Sequence, residues 1–172
     1  MTVHVGLVRA VMQGREGLTG DVLRGIVEDA GGSDVRTFHA TGNVLFRATD
    51  GAAVCEDVSA AITALLGRPT PVLHRTATHL TAIVEAGFFA DAPEGAERII
   101  VFVDAELDAE VVRSAMPGDT RVVGRVDRDV ACVRPAARGS HPMPAIEALT
   151  DAPVTARSIR TVAGIARAAA HG

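Results

Sequence analysis

The chain has 172 residues, of which 48% are hydrophobic, and this is enough apolar material for a packed core. Its formal net charge is −4, and its 17 basic residues are all arginine because the sequence contains no lysine. The acidic balance and the scarcity of aromatic residues, five Phe with no Tyr or Trp, argue against general binding to nucleic acids. The absence of lysine also excludes a Walker phosphate-binding loop, which needs one.

Membrane and metal signals are missing from the sequence. No apolar run approaches the roughly 20 residues that span a bilayer, and the N-terminal residues lack the pattern of a signal peptide. The sequence therefore predicts a soluble cytoplasmic protein with no membrane partner. Cys55 and Cys132 lie far apart without a Cys-x-x-Cys pattern, so we expect two buried, inert thiols and no metal or cofactor.

The first half of the chain alternates between strand and helix patterns. Apolar residues alternate in the strand patterns and recur every three or four residues in the helix patterns. Thr19 or Asp21 can cap the first helix and Asp50 the second, whose buried face includes Leu65 and Leu66. The predicted elements are strand 3–8, helix 19–30, strands 35–40 and 43–48, helix 50–66 and strand 71–75.

The turn Thr41-Gly42-Asn43 is the clearest local signal in the chain. It joins two short apolar runs, and Gly and Asn tolerate the positive φ that a tight turn requires, so the runs pair as antiparallel strands. The favoured interpretation is that the turn only reverses the chain. The alternative is that its backbone N–H groups and the Thr41 hydroxyl contact a ligand.

The order β-α-β-β-α-β predicts a ferredoxin-like unit, in which two helices cover one face of a four-stranded antiparallel sheet. A short helix at 78–86 precedes an acidic loop with Pro and Gly, and the pattern then repeats more loosely. We therefore predict an α+β tandem of two ferredoxin-like units, an N-terminal domain at 1–90 and a C-terminal domain at 96–172 with an extra terminal helix. The second half comprises strand 99–103, helix 108–115 with Val111 and Val112 inward, strands 120–125 and 129–134, helix 142–149, strand 154–156 and helix 160–170.

Three stretches resemble one known family, the bacterial domain-of-unknown-function family numbered 1697. They are Leu7-Val8-Arg9 with Gly14, Val35-Arg36-Thr37-Phe38 with Gly42-Asn43-Val44-Leu45-Phe46, and Val154-Thr155-Ala156-Arg157 with Thr161-Val162. The resemblance implies a tandem of two ferredoxin-like units, in agreement with the pattern above. It implies no activity, because the biochemistry of the family is not established.

The departures from the family pattern fall on its most site-like stretches. Ala10 and Met12 stand where the family has Gly and Asn, and Thr41 replaces a Ser. Ser158 and Arg160 follow Arg157 where the family has two Asn residues flanking an aromatic one. Our hypothesis is that this chain is a divergent member whose family site is altered or abandoned.

Arginines at strand ends are the candidate ligand-binding groups, because converging guanidinium groups suit a phosphate or a carboxylate. We select Arg9, Arg157 and the turn Thr41, Gly42 and Asn43 as the tentative site, while Arg36 is a weaker candidate. The competing interpretation pairs these arginines with some of the 21 Asp and Glu residues on the surface.

The leading functional prediction is a non-enzymatic module that binds a small anion or a protein partner. The alternative is a small enzyme of unknown reaction type with an Arg-rich pocket, formed by the loop Arg138-Gly139-Ser140-His141 and the strand-end arginines. Residues adjacent in sequence, however, seldom form a nucleophile–base pair. A third possibility, a nucleic-acid binder, rests on the analogy of the predicted fold with RNA-recognition sheets. The net charge of −4 disfavours it. The Ala-rich helix faces are compatible with a homodimer. No catalytic or metal-binding residue is predicted.

Overall fold

The computed structural model describes residues 2–9, 16–39, 42–135 and 141–171. Over these ranges the protein has an α+β fold with two four-stranded antiparallel sheets and six helices, so the predicted class is confirmed. The chain forms two compact units: residues up to Leu80 together with Ile165 onward form the first, and Thr81–Gly164 the second. The division into domains at 1–90 and 96–172 stays a prediction.

The first unit contains one sheet with the strand order β2-β3-β1-β4. Helices α1 and α2 bury Leu23, Val27, Val58 and Ile62 in one cluster with Phe46 from the sheet. The elements are β1 (Thr2–Val8), α1 (Gly20–Asp29), β2 (Ser33–Phe38), β3 (Asn43–Ala48), α2 (Gly51–Leu66) and β4 (Val72–Thr76), followed by α3 (Ala77–Glu85).

The ends of α1 and α2 follow the predicted caps. Thr19 Oγ1 accepts a 3.2 Å hydrogen bond from the backbone N of Val22 at the start of α1. Asp50 Oδ1 accepts from the backbone N of Ala52 at 3.1 Å and from that of Ala53 at 3.0 Å, at the start of α2. Gly67 ends α2 in the left-handed region with φ 64°, where only glycine fits without strain.

The predicted hairpin is confirmed. Strands β2 and β3 pair antiparallel, with Phe38 opposite Asn43 and Thr37 opposite Val44. The first strand ends at Phe38 rather than at residue 40, because His39 turns into the left-handed region with φ 56°. The turn residue Thr41 lies outside the described residues.

The second unit has the sheet order β6-β7-β5-β8, in which each strand occupies the place of the corresponding strand in the first sheet. The central strand β5 buries both faces as predicted, since every residue from Ile99 to Val103 is at most 5% exposed. The elements are β5 (Glu97–Val103), α4 (Ala109–Ala115), β6 (Arg121–Val126), β7 (Asp129–Arg134), α5 (Pro142–Glu147), β8 (Val154–Ser158) and α6 (Ile159–Ala170).

Two residues expected in buried helix faces are exposed. Leu65 is 47% exposed and Val111 is 49% exposed, whereas Leu66 packs against the first core and Val112 is buried. Adjacent residues on a helix point about 100° apart, so Leu65 and Val111 point away from the core that Leu66 and Val112 contact. No helix among the described residues is long and apolar enough to cross a membrane.

Candidate functional site

Arg157 lies on β8, an edge strand of the second sheet, opposite Ile100 of β5. Its Nη1 atom donates to Thr155 Oγ1 at 2.9 Å and to the carbonyl of Ala156 at 2.8 Å. Both acceptors are neutral, and Thr155 itself is only 2% exposed. Both of these bonds involve Nη1.

Burial lowers the pKa of Arg157 to about 10. Removing a guanidinium from water penalises its charged form, and hydrogen bonds to neutral oxygens offset only part of that penalty. The shift from arginine's ordinary value corresponds to about 3 kcal/mol against the charged form. An anion beside this side chain would favour the charged form again.

Three of the other candidate residues lie at one end of the first sheet. Arg9 directly follows β1, and its backbone N donates to Pro71 O at 3.0 Å. At the same end, the backbone N of Val8 donates to Gly42 O at 2.8 Å, and Leu7 lies opposite Asn43. The structure therefore brings Arg9, Gly42 and Asn43 to one sheet end, whereas Arg157 belongs to the other unit.

The side chain of Asn43 stabilises the hairpin turn. Its side chain is fully buried, and Nδ2 donates to the carbonyl of Phe38 at 2.9 Å, across the hairpin. This bond satisfies the carbonyl at the end of β2 and fixes the path of the turn. The weaker candidate Arg36 lies exposed on β2.

The two units repeat the same strand–helix junction, which the sequence analysis missed. Arg75 on β4 lies opposite Val5 just as Arg157 lies opposite Ile100, and Arg75 Nη1 also donates to the carbonyl of the preceding residue, at 2.6 Å. In both units a hydroxyl residue follows the arginine and caps the next helix: Thr76 accepts from the N of His79, and Ser158 from the N of Thr161.

The two junctions differ on the strand face that carries the arginine. Leu73 in the first unit stands where the second unit has Thr155, as the pairings with Leu7 and Phe102 show. Only the second junction therefore presents a hydroxyl on the same strand face as its arginine. The sequence signal was present, since Pro71-Val72-Leu73-His74-Arg75-Thr76 and Pro153-Val154-Thr155-Ala156-Arg157-Ser158 share Pro, Val and Arg at equal spacing.

Of the candidate catalytic loop, only His141 lies within the described residues, and Arg138, Gly139 and Ser140 lie outside them. His141 caps helix α5, where its Nδ1 accepts from the backbone N of Met143 at 3.2 Å. Burial lowers the pKa of His141, and the positive charge of Arg134 lowers it further. The imidazole is thus neutral at pH 7 and has one nitrogen committed to the helix.

Arg134 forms an ion pair with Glu97, its partner across β5 and β7. The hydrogen bond from Arg134 holds the pKa of Glu97 below its ordinary value, and the same bond raises the pKa of Arg134. The pair closes the end of the sheet beside His141. The two charges of this pair largely satisfy each other.

Two histidines, the buried His4 and the partly buried His74, form a pair that no sequence pattern indicates. His4 Nδ1 lies 2.9 Å from His74 Nε2, and His4 Nε2 lies 3.2 Å from Ala48 O. Since a carbonyl only accepts, His4 donates to Ala48 and accepts from His74. The described residues contain no group of three or more His, Cys, Asp or Glu that could hold a metal ion.

The sequence matches a family described as "Protein of unknown function (DUF1697)" over residues 1–126, nearly three quarters of the chain. The chain belongs to the DUF1697 family. The first two of the three resembling stretches lie inside the matched residues, and the third, residues 154–162 with Arg157, lies beyond them. The recognition of DUF1697 from the sequence is therefore confirmed.

One solved structure extends the likeness of this DUF1697 member over the whole chain. It is "the structure of conserved bacterial protein SP0830 from Streptococcus pneumoniae", which is 16% identical, with 99% of each chain covered and a TM-score of 0.69. At this identity the likeness shows the fold alone. No curated protein matches the chain.

Proposed function

We propose that this DUF1697 member is a non-enzymatic module that binds a small anion, such as phosphate, through Arg157 and Thr155. The observation that carries the proposal is a largely buried arginine side chain that lies on an edge strand and donates to Thr155 and Ala156. Burial opposes the charge of this group, and a bound anion would recover that free energy. Thr155 adds a hydroxyl that can donate to an anion oxygen.

Arg9, Thr41, Gly42 and Asn43 form the second part of the proposal. Arg9 and the turn share one sheet end, and a turn offers backbone N–H groups to an anion. Because the side-chain amide of Asn43 already donates to Phe38, we assign the ligand contacts here to the backbone of the turn and to the guanidinium of Arg9.

The proposal also includes the architecture and setting of the protein. We propose that both units are ferredoxin-like, which their matching strand orders and element sequences support. The domain limits 1–90 and 96–172, a cytoplasmic location without nucleic-acid partners, and a homodimer through the Ala-rich helix faces are further parts of it. Sedimentation measurements of the purified protein test the last point.

Phosphate titration tests the anion site. We expect phosphate to shift the ¹⁵N–¹H resonances around β8 saturably, and Arg157→Gln to weaken the affinity at least about tenfold through loss of a charge-assisted contact. Thr155→Val keeps the shape of the side chain, removes the hydroxyl and gives a smaller loss. The control Arg160→Gln removes an exposed guanidinium of α6 and leaves binding unchanged.

Two results would refute the proposal. One is an unaltered spectrum of the wild-type protein at high phosphate. The other is an equal loss of affinity in Arg157→Gln and Arg160→Gln, because this would trace binding to the general charge of the surface rather than to the buried group.

A further inference from the structure

The second unit contains a cavity of about 450 Å³ that no candidate residue above lines. Its walls are the loop 93–96, the residues that lead into β6, and the end of β7. Val133, which is 3% exposed, forms an apolar floor together with Ala96 and Pro135. The volume falls within the range of about 300–1,000 Å³ that is typical of small-molecule sites.

Three charged side chains surround this apolar floor: Glu94, Asp119 and Arg121. All three are exposed, and none forms a hydrogen bond or an ion pair with another residue in the part of the chain that the structure describes. Asp119 and Arg121 flank Thr120, which is only 4% exposed. Asp119, in the turn before β6, and Arg121, the first residue of β6, both line the cavity.

We propose that this cavity binds a free α-amino acid with an apolar side chain. The carboxylate of the ligand pairs with the guanidinium of Arg121, and its ammonium group pairs with Asp119 or Glu94. The apolar side chain lies against Val133 and Pro135 and loses contact with water there. The proposal is independent of the anion site at Arg157.

The charge pattern selects a zwitterion over simpler ligands. A ligand that carries only a negative charge meets one guanidinium and two carboxylates, so repulsion opposes the attraction. A ligand that carries only a positive charge leaves Arg121 without a counter-charge. A zwitterion matches both signs, and the apolar floor favours an aliphatic side chain over a polar one.

Titration with three matched probes tests the proposal on the full chain by ¹⁵N–¹H NMR. The probes are L-leucine, 4-methylpentanoate, which lacks the ammonium group, and L-leucinamide, which lacks the carboxylate. We expect leucine to shift the resonances of the cavity residues saturably and to bind at least about tenfold more tightly than either analogue. Arg121→Gln weakens leucine binding about tenfold and Asp119→Asn weakens it less, because Glu94 remains.

Arg160→Gln is the matched control and retains the affinity of the wild-type protein for leucine. Both Arg121 and Asp119 are exposed, so their variants keep the fold, which far-UV circular dichroism checks. The proposal is overturned if leucine shifts no cavity resonance, or if 4-methylpentanoate binds as tightly as leucine. A phosphate response at β8 without a leucine response would leave only the anion site standing.

Discussion

Substitution of Gly42 by alanine tests whether the hairpin turn is fixed by its packing against β1. Gly42 has φ 72°, in the left-handed region that side chains other than glycine's rarely adopt. A Cβ at this position would lie 2.9 Å from the Cβ of Val8 and 3.3 Å from its carbonyl oxygen. The backbone N of Val8 donates to Gly42 O at 2.8 Å, so the two segments cannot separate without losing that bond.

Two costs add in Gly42→Ala. The left-handed backbone costs about 1 kcal/mol with an alanine side chain, and forcing a methyl group into a packed site costs about 1–3 kcal/mol. We therefore expect a loss of about 2–4 kcal/mol in the free energy of unfolding. Gly17 has φ 87°, and none of the described residues would place an atom within 4 Å of a Cβ added there, so Gly17→Ala bears only the backbone cost of about 1 kcal/mol.

Urea denaturation followed by far-UV circular dichroism measures both variants, since the chain has no Trp or Tyr for fluorescence. For a protein of this size, each kcal/mol corresponds to a shift of about 2–4 °C in Tm. Equal destabilisation by Gly42→Ala and Gly17→Ala would refute the reasoning, because the contact with Val8 would then cost nothing.

Three further predictions concern buried polar and titratable groups. The pKa of His141 is lowered in the folded protein, so stability falls as the pH drops through the ordinary histidine value near about 6.5. His141→Asn keeps a helix cap and should reduce the change in Tm between pH 7 and pH 5; an unchanged pH dependence would contradict this. Burial raises the pKa of Cys132 to about 12, and Cys55 is also buried, so a thiol reagent at pH 8 should label neither before unfolding; rapid labelling of the native protein would disprove it. Asn43→Asp replaces the donor to Phe38 O by a carboxylate and should lower the free energy of unfolding by about 1–3 kcal/mol in urea denaturation. An unchanged free energy of unfolding would show that this hydrogen bond does not stabilise the turn.

Local chemistry explains which parts of the fold could be predicted from the sequence. Thr19, Asp50 and Gly67 act through neighbours within a few residues, so their effect can be read directly from the chain. The hairpin was predictable for the same reason. Leu65 and Val111 were misassigned because each has an apolar neighbour, and only the packing decides which of the two faces the core.

The candidate sites depend on contacts between residues distant in sequence. The sequence could therefore indicate candidate residues but not how they are arranged in space. The sequence identifies Arg157 only as a strand-end arginine, because its burial and its bond to Thr155 follow from the packing of the second sheet. The cavity beside Arg121 joins three segments that are distant in sequence, and no local pattern marks it. The repeated Pro-Val-x-x-Arg motif was readable and needed a comparison of the chain with itself.

The repeated junction gives the protein an internal reference for mutational work. Arg75→Gln and Arg157→Gln each delete a donor to the preceding carbonyl. On the strand face that carries the arginine, the first copy has Leu73 where the second has Thr155. The loss of unfolding free energy that both substitutions share measures the structural contribution of an arginine at this strand–helix junction. An effect of ligand that is seen with Arg157→Gln and not with Arg75→Gln is then due to ligand binding at the second junction. Both variants are measured in the same polypeptide and under identical solution conditions.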